Sequence, residues 1–406
     1  MGSAGPGTRE RSNGAFTGKV SGASFIGMKK WLYLVMGLFA SPAGAMAEEP
    51  CVAAGQWLEP ETGRRPADDD LIRRMAGRSV VLLGEVHDNA EHHRWQLHTI
   101  SALHGRNPNM VLGFEAFPRS VQAHLDRWTR GDMDEKAFLK ATRWSQVWRF
   151  EPALYMPLFH FARLHRIPMV ALNVDRALIE RVRNDGWQAV PDDAREGVSD
   201  PAPPSEAYLD YLALAYADHE PAKGEAPDRD DPKFKRFVAV QLTWDRAMAE
   251  RLAGVRLGGG KPLVVGVVGR GHLVYGYGIP HQLADLGIPE AAVLLPWDKD
   301  LECADLAKGV PVADAVFGLG GDTPAAPRPR LGVMIDGLRI QRVVEGSVAQ
   351  SAGLAAEDRI LEAAGRPLAN AGDLIAIIRR QAPGTWLPIK VRRGAEILDM
   401  VAKFPP

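Results

Sequence analysis

Apolar positions along the chain fall in short unbroken runs separated by longer stretches with helical spacing. The runs are Val80–Leu83, Met110–Phe114, Pro168–Leu172, Leu263–Val268 and Ala292–Leu295. Near-continuous runs suit strands covered on both faces, as in a parallel sheet; half-exposed strands would alternate. The intervening segments are long enough for helical crossovers. The pattern therefore predicts an α/β fold, a largely parallel sheet flanked by helices. A helical insertion separates the third run from the fourth. It reads as a helix over 176–189, a Pro/Asp/Ser-rich loop over 191–206, and a helix from Tyr208 to His219. A polar loop over 220–232 and a long amphipathic helix from Phe234 to Leu252 complete it. This block is the expected mobile part of the domain.

Both ends of the chain read differently. Residues 1–27 are Gly/Ser-rich without apolar periodicity and read as a disordered leader or a misassigned start. From Met28 the order is basic (Lys29, Lys30), then apolar (Trp31 to Ala40), then small-x-small (Ala45-Met46-Ala47). That is the order of a secretory signal over 28–47, and the apolar run is short against the about 20 residues of a membrane span. Export to the periplasm or beyond is expected, with an uncleaved anchor or membrane association as the alternative. No small-residue lipobox precedes Cys51, where Glu48-Glu49-Pro50 stands. In an oxidising compartment Cys51 and Cys303 are candidates for a disulfide. The α/β domain is expected to span 48–317, followed by a Gly/Pro-rich linker over 318–330.

Composition narrows the classes. The chain has 406 residues, 46% apolar and 24% charged, with 49 Lys+Arg against 50 Asp+Glu. Wholesale disorder is excluded, and so is a strongly basic nucleic-acid binder; no nucleic-acid partner is expected. Two cysteines cannot build a structural zinc site on their own.

Acid and imidazole groups sit at the predicted strand ends: Glu85 and His87 after the first, Glu115 after the second, Asp175 (in Asn173-Val174-Asp175) after the third, and His272 after the fourth. In open parallel sheets ligands bind beyond the carboxyl ends of strands, so these groups are expected to converge. Gly84, Gly269 and Gly271 permit close backbone approach there. Asn89 is placed to cap a helix whose first turn carries His92 and His93.

Two resemblances follow from these residues. Residues 331–406 carry Leu331-Gly332-Val333, the run Gly346 to Leu354, Asp358-Arg359-Ile360-Leu361 and Gly365-Arg366-Pro367-Leu368. They resemble a bacterial PDZ domain, a small β domain, with Glu357 standing where the usual pattern has glycine. The resemblance implies that Leu331, Gly332 and Val333 form a loop capturing a peptide's C-terminal carboxylate. The alternative is a PDZ-shaped domain packed on its own partner domain. The set Gly84-Glu85-Val86-His87, His92-His93-x-x-Gln96, Glu115, Gln241-x-x-Trp244-Asp245-x-x-Met248-Ala249 and Gly269-x-Gly271-His272 resembles the ChaN family of haem-binding, iron-uptake proteins, in a superfamily with Tiki, TraB and erythromycin esterase-like proteins. This implies a pocket of Glu85, His87, Glu115 and His272. It also implies non-covalent b-type haem held through a tyrosine and paired face to face between two subunits, hence a homodimer.

Haem needs an axial ligand and an apolar enclosure. Tyr216 and His219 lie three apart on a helix face that also carries Tyr208 and Leu212. Tyr275 and Tyr277 form a second source and His93 a third; the sequence leaves the choice open. Covalent attachment is excluded because no Cys-x-x-Cys-His occurs. Two alternatives remain. One is a metal-dependent hydrolase, peptidase or esterase, holding Mn, Co or Zn through the same Glu/His set. The other is an adaptor that works through its PDZ-like tail.

Overall fold

The computed structural model describes residues 51–219, 228–298, 303–306, 309–320 and 329–405. The expected leader, signal segment and most of the linker lie outside the described residues. The first sheet has seven strands: β1 (Trp57–Leu58), β2 (Val80–Glu85), β3 (Met110–Pro118), β4 (Met169–Asn173), β5 (Leu263–Gly269), β6 (Ala292–Trp297) and β7 (Ala315–Gly318). Their order is β1-β7-β6-β2-β5-β3-β4, parallel throughout except for β1, which pairs antiparallel with β7. The five apolar runs are β2 to β6. Every residue of β2, β3, β5 and β6 is buried, because helices cover both faces. The expected domain end at 317 falls one residue short, since Gly318 closes β7.

Helices α1 (Asp68–Ala76), α2 (Ala90–Arg106), α3 (Gln122–Arg130), α4 (Glu135–Ala141), α5 (Trp144–Val147) and α6 (Pro152–Leu164) precede β4; α7 (Arg176–Asp185), α8 (Glu206–His219) and α9 (Pro232–Leu257) form the insertion, and α10 (Ile279–Asp285) follows β5. Asn89 caps α2 as expected, its Oδ1 accepting from the Glu91 and His92 amides at 2.9 and 3.3 Å. The helix expected over 176–189 stops at Asp185, because Gly186 adopts φ +85° and the chain resumes as a short 3₁₀ turn at Trp187–Ala189.

Two apolar clusters sandwich the sheet. One joins Leu83, Leu112 and Phe114 to Trp128, Tyr155 and Phe159; the other joins Val80, Leu82 and Val264 to Met248, Leu252 and Leu283. Cys51 and Cys303 are disulfide-bonded with Cα atoms 5.5 Å apart, which ties the segment before β1 to the short α11 (Cys303–Leu306) after β6.

The second sheet is antiparallel: β8 (Val333–Asp336), β9 (Arg339–Val343), β10 (Arg359–Ala363), β12 (Trp386–Arg393) and β13 (Glu396–Lys403) run β13-β12-β10-β9-β8, and β11 (Arg366–Pro367) pairs with β10. With helices α12 (Val348–Ser351) and α13 (Ala371–Arg379) it encloses a core of Ile340, Ile360, Leu374, Leu387 and Val391. Leu331 and Gly332 lead into the edge strand β8. Their carbonyls accept from the Ala349 and Val344 amides, and Gly332 sits at φ +81° with Ser347 where a Cβ would go. Glu357 also has positive φ, +74°, which explains why glycine is the usual residue there.

Candidate functional site

A cleft of about 920 Å³ opens at the carboxyl ends of β2 to β5, lined by His87, Glu115, Asn173 and His272. Trp148, Phe150, Val174, Ile179 and Trp244 give it apolar walls, and Arg143, Arg149, Arg176 and Arg183 line it with positive charge. The convergence expected from the strand ends is present. Glu85 lies beneath the cleft rather than in its wall, 2% exposed.

Two carboxylate–imidazole pairs organise the polar centre. In the first, Glu85 Oε1 meets His87 Nδ1 at 2.9 Å and accepts from the Tyr155 hydroxyl, supplied by α6, at 2.5 Å. In the second, Asp245 Oδ1 meets His272 Nδ1 at 2.6 Å, and Asp245 Oδ2 accepts from the Tyr208 hydroxyl at 2.6 Å. Glu115 stands between the two imidazoles. Its Oε2 accepts from the Gly269 amide at 2.6 Å, and its Oε1 lies 3.8 Å from His272 Nε2. Gly269 is needed because a Cβ there would come within 2.8 Å of the His87 ring.

The charges follow from these contacts. Burial works against ionising Glu85, but the hydrogen bond with His87 and the positive charges of His93 and His87 bring its pKa below the usual carboxylate value. Burial likewise opposes the charge on His87, which the Glu85 hydrogen bond and the Glu115 charge outweigh, raising its pKa. Burial of His272 is overcome by Asp245, through both charge and hydrogen bond, and by Glu115; its pKa rises to about 9.

His92 and His93 are buried parts of the frame. His92 Nδ1 accepts from the Val86 amide at 2.8 Å, and its Nε2 meets Asp298 at 2.8 Å. His93 Nε2 donates to the His87 carbonyl at 3.1 Å, while its Nδ1 lies 3.1 Å from Gln96 Oε1 and 3.2 Å from Glu85 Oε2. Among the described residues no group of three or more His, Cys, Asp or Glu side chains is arranged to hold a metal ion. A Mn, Co or Zn hydrolase therefore finds no support here.

The tyrosines divide. Tyr216 lines a groove of about 600 Å³ with Arg183, Asn184, Lys233, Arg236, Phe237, Val240, Gln241 and Trp244. Its ring packs edge-on against Phe234 and Phe237 at 5.6 and 5.3 Å. The groove shares Arg183, Gln241 and Trp244 with the cleft. Tyr275 lines a separate cavity of about 160 Å³, and Tyr277 packs on Tyr208 and Tyr275. The His219 side chain lies outside the described residues. None of the candidate tyrosines lines the Glu/His cleft itself.

A family model described as haem-binding uptake, Tiki superfamily, ChaN, matches residues 71–283, over half of the chain. This chain belongs to the ChaN family. A PDZ-domain model matches residues 339–393, so the second sheet of this ChaN-family protein is a PDZ domain. Among solved structures, one titled cofacial haem binding to ChaN of Campylobacter jejuni is similar over 64% of this chain and 95% of its own, at 19% identity and TM-score 0.50. That likeness supports the fold. A serine endoprotease from Yersinia pestis is similar over 19% of this chain and 29% of its own, at 20% identity and TM-score 0.18. The HtrA3 PDZ domain bound to a phage-derived ligand is similar over 18% and 63%, at 28% identity and TM-score 0.15. No curated protein matches the chain.

Asp245 and Tyr155 carry roles that the sequence did not assign. Asp245 stood in the quoted Gln241-x-x-Trp244-Asp245 pattern: on α9, Gln241 and Trp244 line the cleft while Asp245, fully buried, reaches His272. Tyr155 gave no signal, because it reaches Glu85 only through tertiary packing of α6.

Proposed function

We propose that the α/β domain holds exchangeable haem in the groove beside α9, where the Tyr216 oxygen would hold the iron and Arg183, Lys233 and Arg236 would pair with the haem carboxylates. The observation that carries this reading is the lining of that groove: a tyrosine, two further aromatic side chains and three cations around about 600 Å³. That volume lies within the usual range for small-molecule sites, roughly 300–1,000 Å³, whereas the 160 Å³ beside Tyr275 falls below it. Apolar walls, an oxygen ligand and peripheral cations are what the cofactor requires. Bound iron would supply a Lewis-acidic centre for the phenolate; the chain's own residues enclose the ring and pair its carboxylates.

Export and partner recruitment belong to the same reading. The signal-like segment 28–47 and the Cys51–Cys303 bond both fit a periplasmic or secreted protein. The edge strand β8, entered through the Leu331-Gly332-Val333 turn, suits addition of a peptide C-terminus. Cofacial haem in the Campylobacter jejuni protein suggests that two chains pair across their haems here too.

Hemin titration of the chain from Glu48 onward tests the assignment. A saturable Soret shift with a phenolate charge-transfer band is expected, lost in Tyr216→Phe and kept in Tyr275→Phe and Tyr277→Phe. A spectrum unchanged by Tyr216→Phe would refute the assignment.

A further inference from the structure

The PDZ sheet leaves one edge open. Among the described residues β8 pairs with β9 on one side and with no strand on the other, so its outer side offers unpaired backbone groups. Successive residues of a strand take opposite faces. Val333 and Ile335 are half-buried against the core that Ile377 and Ile378 of α13 also join, while Met334 and Asp336 are exposed. Residues directly opposite across a strand pair share a face. Met334 stands opposite Arg342, and Asp336 opposite Arg339, so these four side chains share the outer face. The two arginines differ. Arg339 is engaged by Glu357, whereas Arg342 is exposed and, among the described residues, has no ion-pair or hydrogen-bond partner.

A peptide whose carboxylate sits in the Leu331-Gly332-Val333 turn runs antiparallel to β8, because its end lies where β8 begins. Its last residue is then beside Val333, its penultimate residue beside Met334 and its fourth from last beside Asp336. The last side chain turns inward with Val333; the penultimate and the fourth from last turn to the outer face with Met334 and Asp336. Arg342 lies two strand spacings from the penultimate position, roughly 10 Å. A guanidinium and a carboxylate on flexible stems reach toward each other across that span, over the uncharged Met334 side chain. We infer that the PDZ domain selects peptides with an acidic penultimate residue, read by Arg342, and disfavours an acid at the fourth position from the end, where Asp336 stands. This selectivity rests on the carboxylate-capture reading proposed above and adds to it the chemistry of the partner.

The test selects binders to the chain from Glu48 onward out of a displayed library of random peptides with free C-termini, then measures synthetic, fluorescein-labelled copies by anisotropy. Asp or Glu is expected to be enriched at the penultimate position and depleted at the fourth from last. Replacing the penultimate acid by its amide should weaken binding about two- to fivefold, as for an exposed ion pair, and added salt should shrink that difference. The difference should vanish in Arg342→Gln, and Asp336→Asn should relieve the depletion of acid at the fourth position. C-terminal amidation of the peptides separates the two levels of the argument. A selection without binders, or binders indifferent to amidation, would overturn carboxylate capture and this inference with it. Binders that need the free carboxylate but are indifferent to the penultimate charge, or keep their preference in Arg342→Gln, would overturn the inference alone.

Discussion

The pair Asp245–His272 makes the most quantitative demand on the site. Asp245 is fully buried and holds His272 Nδ1 at 2.6 Å; with Glu115 it raises the imidazole from 6.5 to about 9 against the effect of burial. At 1.36 kcal/mol per pKa unit this corresponds to about 3 kcal/mol of stability. Because the folded value lies above the unfolded one, the contribution is complete below pH about 6.5. It declines as pH rises through about 9 and is absent above that. Asp245→Asn keeps the shape and can still accept from Tyr208, but it presents no negative charge. The buried ring then deprotonates, with only Glu115 opposing. The variant is expected to lose about 3 kcal/mol at pH 6, the lower end of what breaking a buried ion pair costs. Urea unfolding of both proteins from pH 6 to 10, with ¹H–¹⁵N titration of His272, measures it. The stability gap should close toward pH 10, and the His272 midpoint should fall below 6.5. A gap independent of pH, or a midpoint still near 9 in the variant, would refute the reasoning.

Two further perturbations address the frame. Gly269→Ala would bring a methyl within 2.8 Å of the His87 ring and 3.4 Å of Glu115 Oε2. About 1–3 kcal/mol of destabilisation is expected, with displacement of the His87 resonances; both are readable by denaturation and NMR. Replacing Cys51 and Cys303 by serine opens a link across 252 residues of sequence and should cost about 2–5 kcal/mol, measured as a lower denaturation midpoint than that of the oxidised chain.

How much was legible depends on how local each signal is. The five strands announce themselves because a strand covered on both faces is apolar along most of its length, as β2 to β6 are up to the polar residues at or near their carboxyl ends. Strand β1 has two residues and β7 four, too few to show any period, so the sheet is wider than the sequence suggested. Glu85, His87, Glu115 and His272 were readable because topology brings strand ends together whatever the loops do. Tyr155 was not, since its hydroxyl reaches Glu85 across 70 residues of chain by packing of α6 alone. His93, named among the haem-ligand candidates from its place in the first turn of α2, is buried against Glu85 and Gln96.

The same network bears on which tyrosine can meet iron. A tyrosine binds ferric haem as phenolate, so the ligand's proton must leave readily. Tyr155 and Tyr208 each donate to a buried carboxylate, Glu85 and Asp245, and burial together with that negative charge pushes both phenols far above their ordinary pKa. Burial drives Tyr211 the same way, helped by Tyr275 and Asp245 and only partly offset by Arg270. Tyr155 and Tyr208 are held as neutral donors, and using either as a ligand would set a phenolate beside a buried carboxylate. Tyr216 instead shares its groove with Arg183, Lys233 and Arg236. In the proposed reading the charge-compensated centre holds the crevice in shape and the cation-lined groove takes the haem.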